Sequence, residues 1–449
     1  MPRLSIVSVA SRLAAMKRSC SISAREAMVS AISVPEATMV SLILRPRAEI
    51  ALATSLPTWA RRSVSSCERA SKVSLTAVEA ASTEIEEKRR LPPALLDRLH
   101  EAELFRLLLP RSSRGIETDP VTFFHVIETI ARGDASTAWC LSQAGGCAMS
   151  AAYLDLPVAQ SIFGDDPRAV LAWGPGPRVK AIECEGGYKV TGVWAFASGG
   201  RHATWLGAHC PIYQADGAPR LDSSGVQQER TMLVRTEDVQ WTDIWNTVGL
   251  RGTASDQFAL TDFFVRTDHS ITRDFEKECR EPGPLYRMGA GTCYQVGFAG
   301  VACGIARGAL DSFVDVARNK VPRGMKSPIR DNAVVQAGLA QAEVGLRSAR
   351  AYVLQSMAGI WKDLSAGATI SVEQRVTVRM AATHAIHKAK DAVDFAYNAA
   401  GATAIFENHP LERRFRDIHT VTQQLQGRLS HFETVGAWMM GVDADLTFV

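Results

Sequence analysis

The chain has 449 residues, 46% of them hydrophobic and 22% charged, enough to bury a large core and to form about two or three domains. Its net charge of +3 is too small to argue for a nucleic-acid partner, and no uninterrupted apolar run approaches the roughly 20 residues of a membrane span. The nine cysteines form no Cys-x-x-Cys pair and no zinc-spaced cluster with histidine. No metal is expected, and they read as small buried residues of a reducing, cytoplasmic setting.

Residues 1–73 are rich in Ser, Ala, Val and Arg, with Glu26, Glu36, Glu49 and Glu68 as their only acids. No apolar period persists there. The segment reads as a disordered or spurious extension, with a targeting peptide as the alternative. Helical patterning starts near Leu75 and predicts an N-terminal helical domain over 74–168. Leu91-Pro92-Pro93 opens a helix with proline in its first turn and Leu95, Leu99 and Leu104 on its buried stripe. A second helix is expected over 120–131. Gly133-Asp134-Ala135-Ser136 then supplies a stop and a new cap before a third helix through Trp139 and Met149.

Over 169–275 the period shortens to two, as in the runs 188–194, 231–235, 239–241 and 258–265, with turns at Gly186-Gly187 and Asp216-Gly217. A small middle β domain is the economical reading. Over 276–449 helical spacing returns at 297–316, 333–359, 372–400 and in a last helix through 419–440, an antiparallel four-helix bundle. The small residues Ala299, Gly300, Ala302, Gly304 and Ala306 let helices approach closely. Packing between subunits and packing inside the core explain them equally well.

Three stretches carry a resemblance to the acyl-CoA dehydrogenases. Gly187-Tyr188-Lys189-Val190-Thr191-Gly192-Val193-Trp194-Ala195-Phe196-Ala197-Ser198-Gly199 resembles the family's flavin-facing strand. Val248-Gly249-Leu250-Arg251-Gly252-Thr253-Ala254-Ser255-Asp256, with Phe263-Phe264-Val265, resembles the strand pair that closes the β domain. Pro410-Leu411-Glu412-Arg413-Arg414-Phe415-Arg416-Asp417 resembles the turn into the last helix. The resemblance is closest to the two-component flavin monooxygenases of this fold. It implies a mainly α protein with a small middle β domain, assembled as a homotetramer. It also implies a separate reductase supplying reduced FMN or FAD, and hydroxylation of an aromatic or polycyclic substrate through a C4a-hydroperoxyflavin. The flavin would rest on Trp194, Phe196, Ala197, Ser198, Arg251, Gly252 and Thr253. Phe196 offers a flat apolar face, and Ser198, two positions along a strand and so on the same side, can offer its hydroxyl to flavin N5 or O4. Arg251 would stabilise an anionic reduced ring.

A dehydrogenase of this fold needs a carboxylate beside the flavin, usually a Glu-Gly pair shortly after Arg-Asp. After Arg416-Asp417 the counterpart here is Gln426-Gly427, and an amide cannot take a proton. Asp311 and Asp315 lie far along the first bundle helix. His419 stands near this position and is the expected catalytic proton donor. Trp139, Cys147 and Trp173 are expected on the substrate side. Cys147 and Trp173 stand where phenol-hydroxylating members carry more polar residues, which makes the pocket more apolar. An FAD-dependent acyl-CoA dehydrogenase or oxidase is the alternative.

Overall fold

The computed structural model describes residues 73, 75–272 and 278–446. All but one residue of the expected 1–73 extension therefore lie outside the described residues. The N-terminal part is helical: α1 (Leu75–Lys88), α2 (Pro93–Glu101), α3 (Pro120–Gly133), α4 (Ala135–Ala148) and the short α5 (Leu156–Ala159). Asp134 closes α3 and caps α4, its carboxylate accepting the Thr137 backbone N–H at 2.7 Å. This cap satisfies a donor that a helix start leaves orphaned. Leu104 is buried as expected, but in a separate 3₁₀ turn after α2.

Eight strands follow: β1 (Leu171–Gly174), β2 (Lys180–Cys184), β3 (Gly187–Trp194), β4 (Trp205–Tyr213), β5 (Glu229–Arg235), β6 (Gln240–Thr242), β7 (Gln257–Arg266) and β8 (Ser270–Thr272). They form a mixed sheet in the order β6-β7-β3-β2-β4-β5-β8, with β1 also on β4. β1 and β2 each run parallel to β4, and the other pairs are antiparallel. The β3–β7 register sets Trp194 opposite Phe258, and their rings stack at 5.2 Å.

The C-terminal part contains α6 (Pro284–Met288), α7 (Ala290–Asn319), α8 (Ala333–Ser365), α9 (Val372–Ala400), α10 (Pro410–Thr422) and α11 (Ser430–Met439). α7 is 30 residues long and apolar enough to cross a membrane by length and composition, yet 83% of its apolar window is buried inside the protein. It is the axis of the bundle, packed chiefly by α9, α3, α4 and α10. Its small residues meet the chain's own backbone. A Cβ on Gly304 would stand 2.3 Å from the Glu128 carbonyl, and one on Gly300 3.1 Å from the Phe124 carbonyl. Core packing therefore accounts for these small residues.

Two expectations change. Residues 410–417 are the opening turns of α10 itself, started by Pro410. The single last helix through 419–440 is broken, because α10 ends at Thr422 and α11 begins at Ser430. The break is held by hydrogen bonds: the Gln424 side chain accepts the Gln426 N–H at 2.7 Å, and His387 Nε2 donates to the Gly427 carbonyl at 2.8 Å. These bonds replace the helical ladder with a pinned turn facing α9.

Candidate functional site

β3 stops at Trp194, and the next residues leave the strand in a tight turn. Phe196 takes φ +59°, a left-handed conformation that costs a non-glycine residue energy, and the residue is 59% exposed. The Ser198 N–H bonds back to the Phe196 carbonyl at 2.8 Å. The strand alternation that would put Trp194, Phe196 and Ser198 on one side is therefore lost. Trp194 is fully buried, and its indole N–H donates to the His209 carbonyl at 3.0 Å. Trp194 braces the sheet from below, while Phe196 stands free beside the edge of Trp245, 5.9 Å away.

The turn is stitched to the segment 248–256. Ala197 N–H donates to the Asp256 carbonyl and Gly199 N–H to that of Thr253, at 3.2 and 2.9 Å. Asp256 fastens the far side, its carboxylate accepting the N–H groups of Ile244 and Trp245 and pairing with Arg201 at 2.7 Å. The segment expected as a closing strand is instead a loop around the 3₁₀ turn Arg251–Thr253, with Leu250 and Ala254 left-handed. Gly249 and Gly252 make this possible. A Cβ on Gly249 would lie 2.4 Å from the Arg416 carbonyl, and one on Gly252 2.0 Å from Ile85.

This stitching aligns a row of hydroxyls. Thr253 Oγ1 donates to the Leu250 carbonyl or pairs with Ser255 Oγ at 2.7 Å, and Ser255 pairs with Ser198 Oγ at 2.7 Å. Ser198 in turn accepts the Trp139 indole N–H at 3.0 Å. All four side chains are buried. Trp139 packs on Phe298 at 4.2 Å, and Phe298 stacks parallel to Tyr294 at 6.0 Å. Three aromatic rings from α4 and α7 thus make one wall ending on the hydroxyl row. At the other end, Tyr294 Oη lies 3.3 Å from Cys147 Sγ, and Trp173 meets the His209 ring at 4.9 Å. Burial raises the Cys147 thiol to about 12 and keeps it protonated.

A flavin ring has a flat apolar face and one polar edge. The free Phe196 ring and the Ser198–Ser255–Thr253 row offer partners for both, so these residues fit the group. Gly252 and Arg251 do so less directly. The Gly252 N–H is taken by Ser136 Oγ at 3.1 Å, and Arg251 leans towards Glu86 at 4.0 Å, leaving its buried Nε without a partner. Among the described residues no group of His, Cys, Asp and Glu could hold a metal.

Two family models match the chain: the acyl-CoA dehydrogenase N-terminal domain over residues 68–155 and the C-terminal domain over 296–426. The chain has the acyl-CoA dehydrogenase fold. It is 29% identical to a flavin-dependent monooxygenase oxygenase subunit, HsaA, of Rhodococcus jostii, over 75% of this chain and 88% of that protein. It is 28% identical to an indole-3-acetate monooxygenase of Pseudomonas putida, over 80% of this chain and 89% of the other. The crystal structure of a 3-HSA hydroxylase from Rhodococcus sp. RHA1 superposes with a TM-score of 0.77 at 27% identity, covering 84% of this chain and 96% of that one.

Gln426, expected from the sequence as the counterpart of the dehydrogenase base, is buried in the short 3₁₀ turn after α10. Its amide oxygen accepts a hydrogen bond from Arg379, a buried guanidinium that desolvation lowers to about 10, and Thr383 Oγ1 donates to its carbonyl at 3.3 Å. Asp311 pairs with Arg132 and Arg307, so it is engaged elsewhere. The structure does not bring His419 to the hydroxyl row. Its Nε2 pairs with Asp394 Oδ1 at 2.9 Å and its ring packs on Phe415 at 4.4 Å, on the seam between α9 and α10. The i, i+3/i+4 spacing that marked His419 as helical also allowed this outward-facing seam.

Sequence reading passed over Ser255 and Tyr294. Ser255 stands two residues after Thr253, a spacing that could have been read as a second hydroxyl on the same edge. Tyr294 had no local signal, since it opens a helix whose expected start was 297.

Proposed function

We propose that this chain is the oxygenase component of a two-component flavin-dependent monooxygenase that hydroxylates a flat aromatic or polycyclic substrate. The observation that supports this best is the Gln426 amide held by the Arg379 guanidinium: read as the counterpart of the dehydrogenase base, position 426 offers no proton acceptor for desaturation. When bound, reduced FMN or FAD would supply the oxygen-activating chemistry. The chain's own residues orient and shelter it. Ser198, held between Trp139 and Ser255, has a preorganised hydroxyl that would hold the polar edge of the flavin. Phe196 and the aromatic wall of Trp139 and Phe298 exclude water from the ring's face. Cys147 and Trp173 border the substrate side. The relatives' designation as oxygenase subunits supports a separate reductase as partner. The reading further takes the working form as a cytoplasmic homotetramer.

The test is stopped-flow mixing of the protein, loaded anaerobically with reduced flavin, with oxygenated buffer. A transient flavin–oxygen adduct before reoxidation is expected, and it should shorten in Ser198→Ala. Immediate reoxidation with stoichiometric peroxide, or anaerobic reduction of bound FAD by an acyl-CoA, would overturn the proposal.

A further inference from the structure

The hydroxyl row beside the flavin-facing turn has two ends of fixed polarity. At one end the Trp139 indole N–H donates to Ser198 Oγ at 3.0 Å, and an indole nitrogen can only donate. At the other the Leu250 carbonyl lies 2.9 Å from Thr253 Oγ1, and a carbonyl can only accept. Between these ends stand the hydroxyls of Ser198, Ser255 and Thr253, each with one proton to give. Those protons have the same number of places to go: Ser198 to Ser255 at 2.7 Å, Ser255 to Thr253 at 2.7 Å, and Thr253 to Leu250. A single assignment makes all of them hydrogen bonds. Thr253 donates to Leu250, Ser255 to Thr253, and Ser198 to Ser255. Any other leaves two lone pairs facing each other inside a buried row, where an unmade bond is most costly.

The accepting end is anchored from outside the sheet. Leu250 is buried and left-handed at φ +51°, and its N–H donates to Asp417 Oδ1 on α10 at 2.6 Å. Its carbonyl also accepts the Trp245 indole N–H at 2.9 Å. Exposure falls along the row: Ser198 keeps 8% of its surface accessible, Ser255 1% and Thr253 none. Ser198 is therefore the member that a ligand entering beside the exposed Phe196 can touch. One of its lone pairs is filled by Trp139 and its proton is given to Ser255, so a second lone pair is what remains. Ser198 meets the ligand as an acceptor. The row thereby reverses the donor role that the residue type alone suggests.

We propose that Ser255 and Thr253 are positioning residues that turn the Ser198 proton away from the flavin, so that the site takes reduced flavin in preference to oxidised flavin. N5 of the reduced ring carries a hydrogen and would donate it to the free Ser198 lone pair. N5 of the oxidised ring has a lone pair of its own and would face Ser198 unmatched. The inference rests on the monooxygenase reading. It adds the direction of the bond at N5 and the two residues that set it. No proton or electron is transferred, and the discrimination is one of binding.

Isothermal calorimetry of the full chain tests this with FMN and FAD, each oxidised in air and photoreduced under nitrogen. Reduced flavin should bind the wild type about three- to tenfold more tightly than oxidised flavin, the effect of one hydrogen bond. Ser255→Ala frees the Ser198 proton to turn to N5, so oxidised flavin should gain about three- to tenfold while reduced flavin stays within about twofold. The potential of the bound flavin should then fall by about 15–30 mV, at about 30 mV per tenfold for a two-electron couple. Ser198→Ala should act on the other form, weakening reduced flavin and leaving oxidised flavin within about twofold. Thr253→Val should follow Ser255→Ala, and Thr253→Ser, which keeps the hydroxyl, should retain the wild-type preference. Equal affinity of the wild type for the two forms, or a Ser255→Ala variant that weakens both equally or changes neither, would overturn the inference while leaving the monooxygenase reading in place. Failure of the wild type to bind either reduced flavin would overturn that reading itself. If Ser255→Ala does not fold, the two Thr253 variants decide the matter.

Discussion

His202 offers a quantitative test of how the flavin-facing turn is supported. Its imidazole lies against Gly199, where the absent side chain leaves it room, and stacks obliquely on Phe105 at 5.7 Å. Phe105 in turn stacks on His100. The His202 Nε2 is buried without a hydrogen-bond partner, and desolvation, with His100 second, lowers the ring to about 4 from its usual 6.5. Folding therefore favours the neutral form. The unfolded chain takes up the proton first, so stability falls as pH drops from about 6.5 towards 4 and is flat above that window. At pH 5 the linkage amounts to about 2 kcal/mol relative to pH 7, against a full value of about 3 kcal/mol below pH 4. The raw acid curve is composite, because Asp417, buried and raised to about 7 by desolvation and Glu86, gains stability over the same range as it protonates. The measurement is therefore a difference: urea unfolding of wild type and His202→Asn at pH 7 and pH 5. The wild type should lose about 2 kcal/mol more than the variant between the two pH values. A gap under about 0.5 kcal/mol would refute the buried, neutral histidine, since that is the size of ordinary surface effects. Affinity for reduced flavin should fall with the same midpoint, because Ser198 and Gly199 ride on this ring.

Three further outcomes follow from the site. Gly146→Ala would drive a methyl group into the Tyr294 ring; differential scanning calorimetry should show a loss of about 1–3 kcal/mol, and an unchanged transition would mean the ring is free to move. Gln426→Glu should still fail to oxidise acyl-CoA, because Arg379 would pair with the new carboxylate and hold its pKa down; anaerobic bleaching of bound FAD would contradict this. His419→Ala should leave the ratio of hydroxylated product to peroxide within about twofold, since removing a general acid usually costs about a hundredfold or more; collapse of that ratio would return His419 to the reaction.

The order of helices, strands and helices was legible because each part has its own period, and the apolar spacing over 372–400 coincides with α9, which the structure shows to be capped by Ser371 and closed at Gly401. The site was legible as a stretch of chain and not as a geometry. The residues around Phe196 looked like a continued strand because alternation has no local mark for a residue forced to positive φ; the force comes from Asp256 and Thr253, nearly sixty positions away. The break after Thr422 was hidden for a similar reason. Gln423–Leu429 has ordinary helical composition, and the contacts that turn it come from Arg379, Thr383 and His387 on another helix. His419 showed the converse: its residue type fitted the chemistry, while its side chain was claimed by Asp394. Tyr294 could not be found from its neighbours, because its importance lies in Gly146 making room for it.

The Arg379–Gln426 contact also has a meaning for descent. Every glutamine codon is a single base from a glutamate codon, so a carboxylate at position 426 is always within one mutational step. The waiting guanidinium makes that step unproductive by itself, since the new acid would be born into an ion pair and would be too weak a base to act. A lineage moving from oxygen chemistry to desaturation must therefore change the arginine as well, and the arginine alone gives nothing to select. The two activities of this fold are close in sequence and separated by a valley only two residues wide.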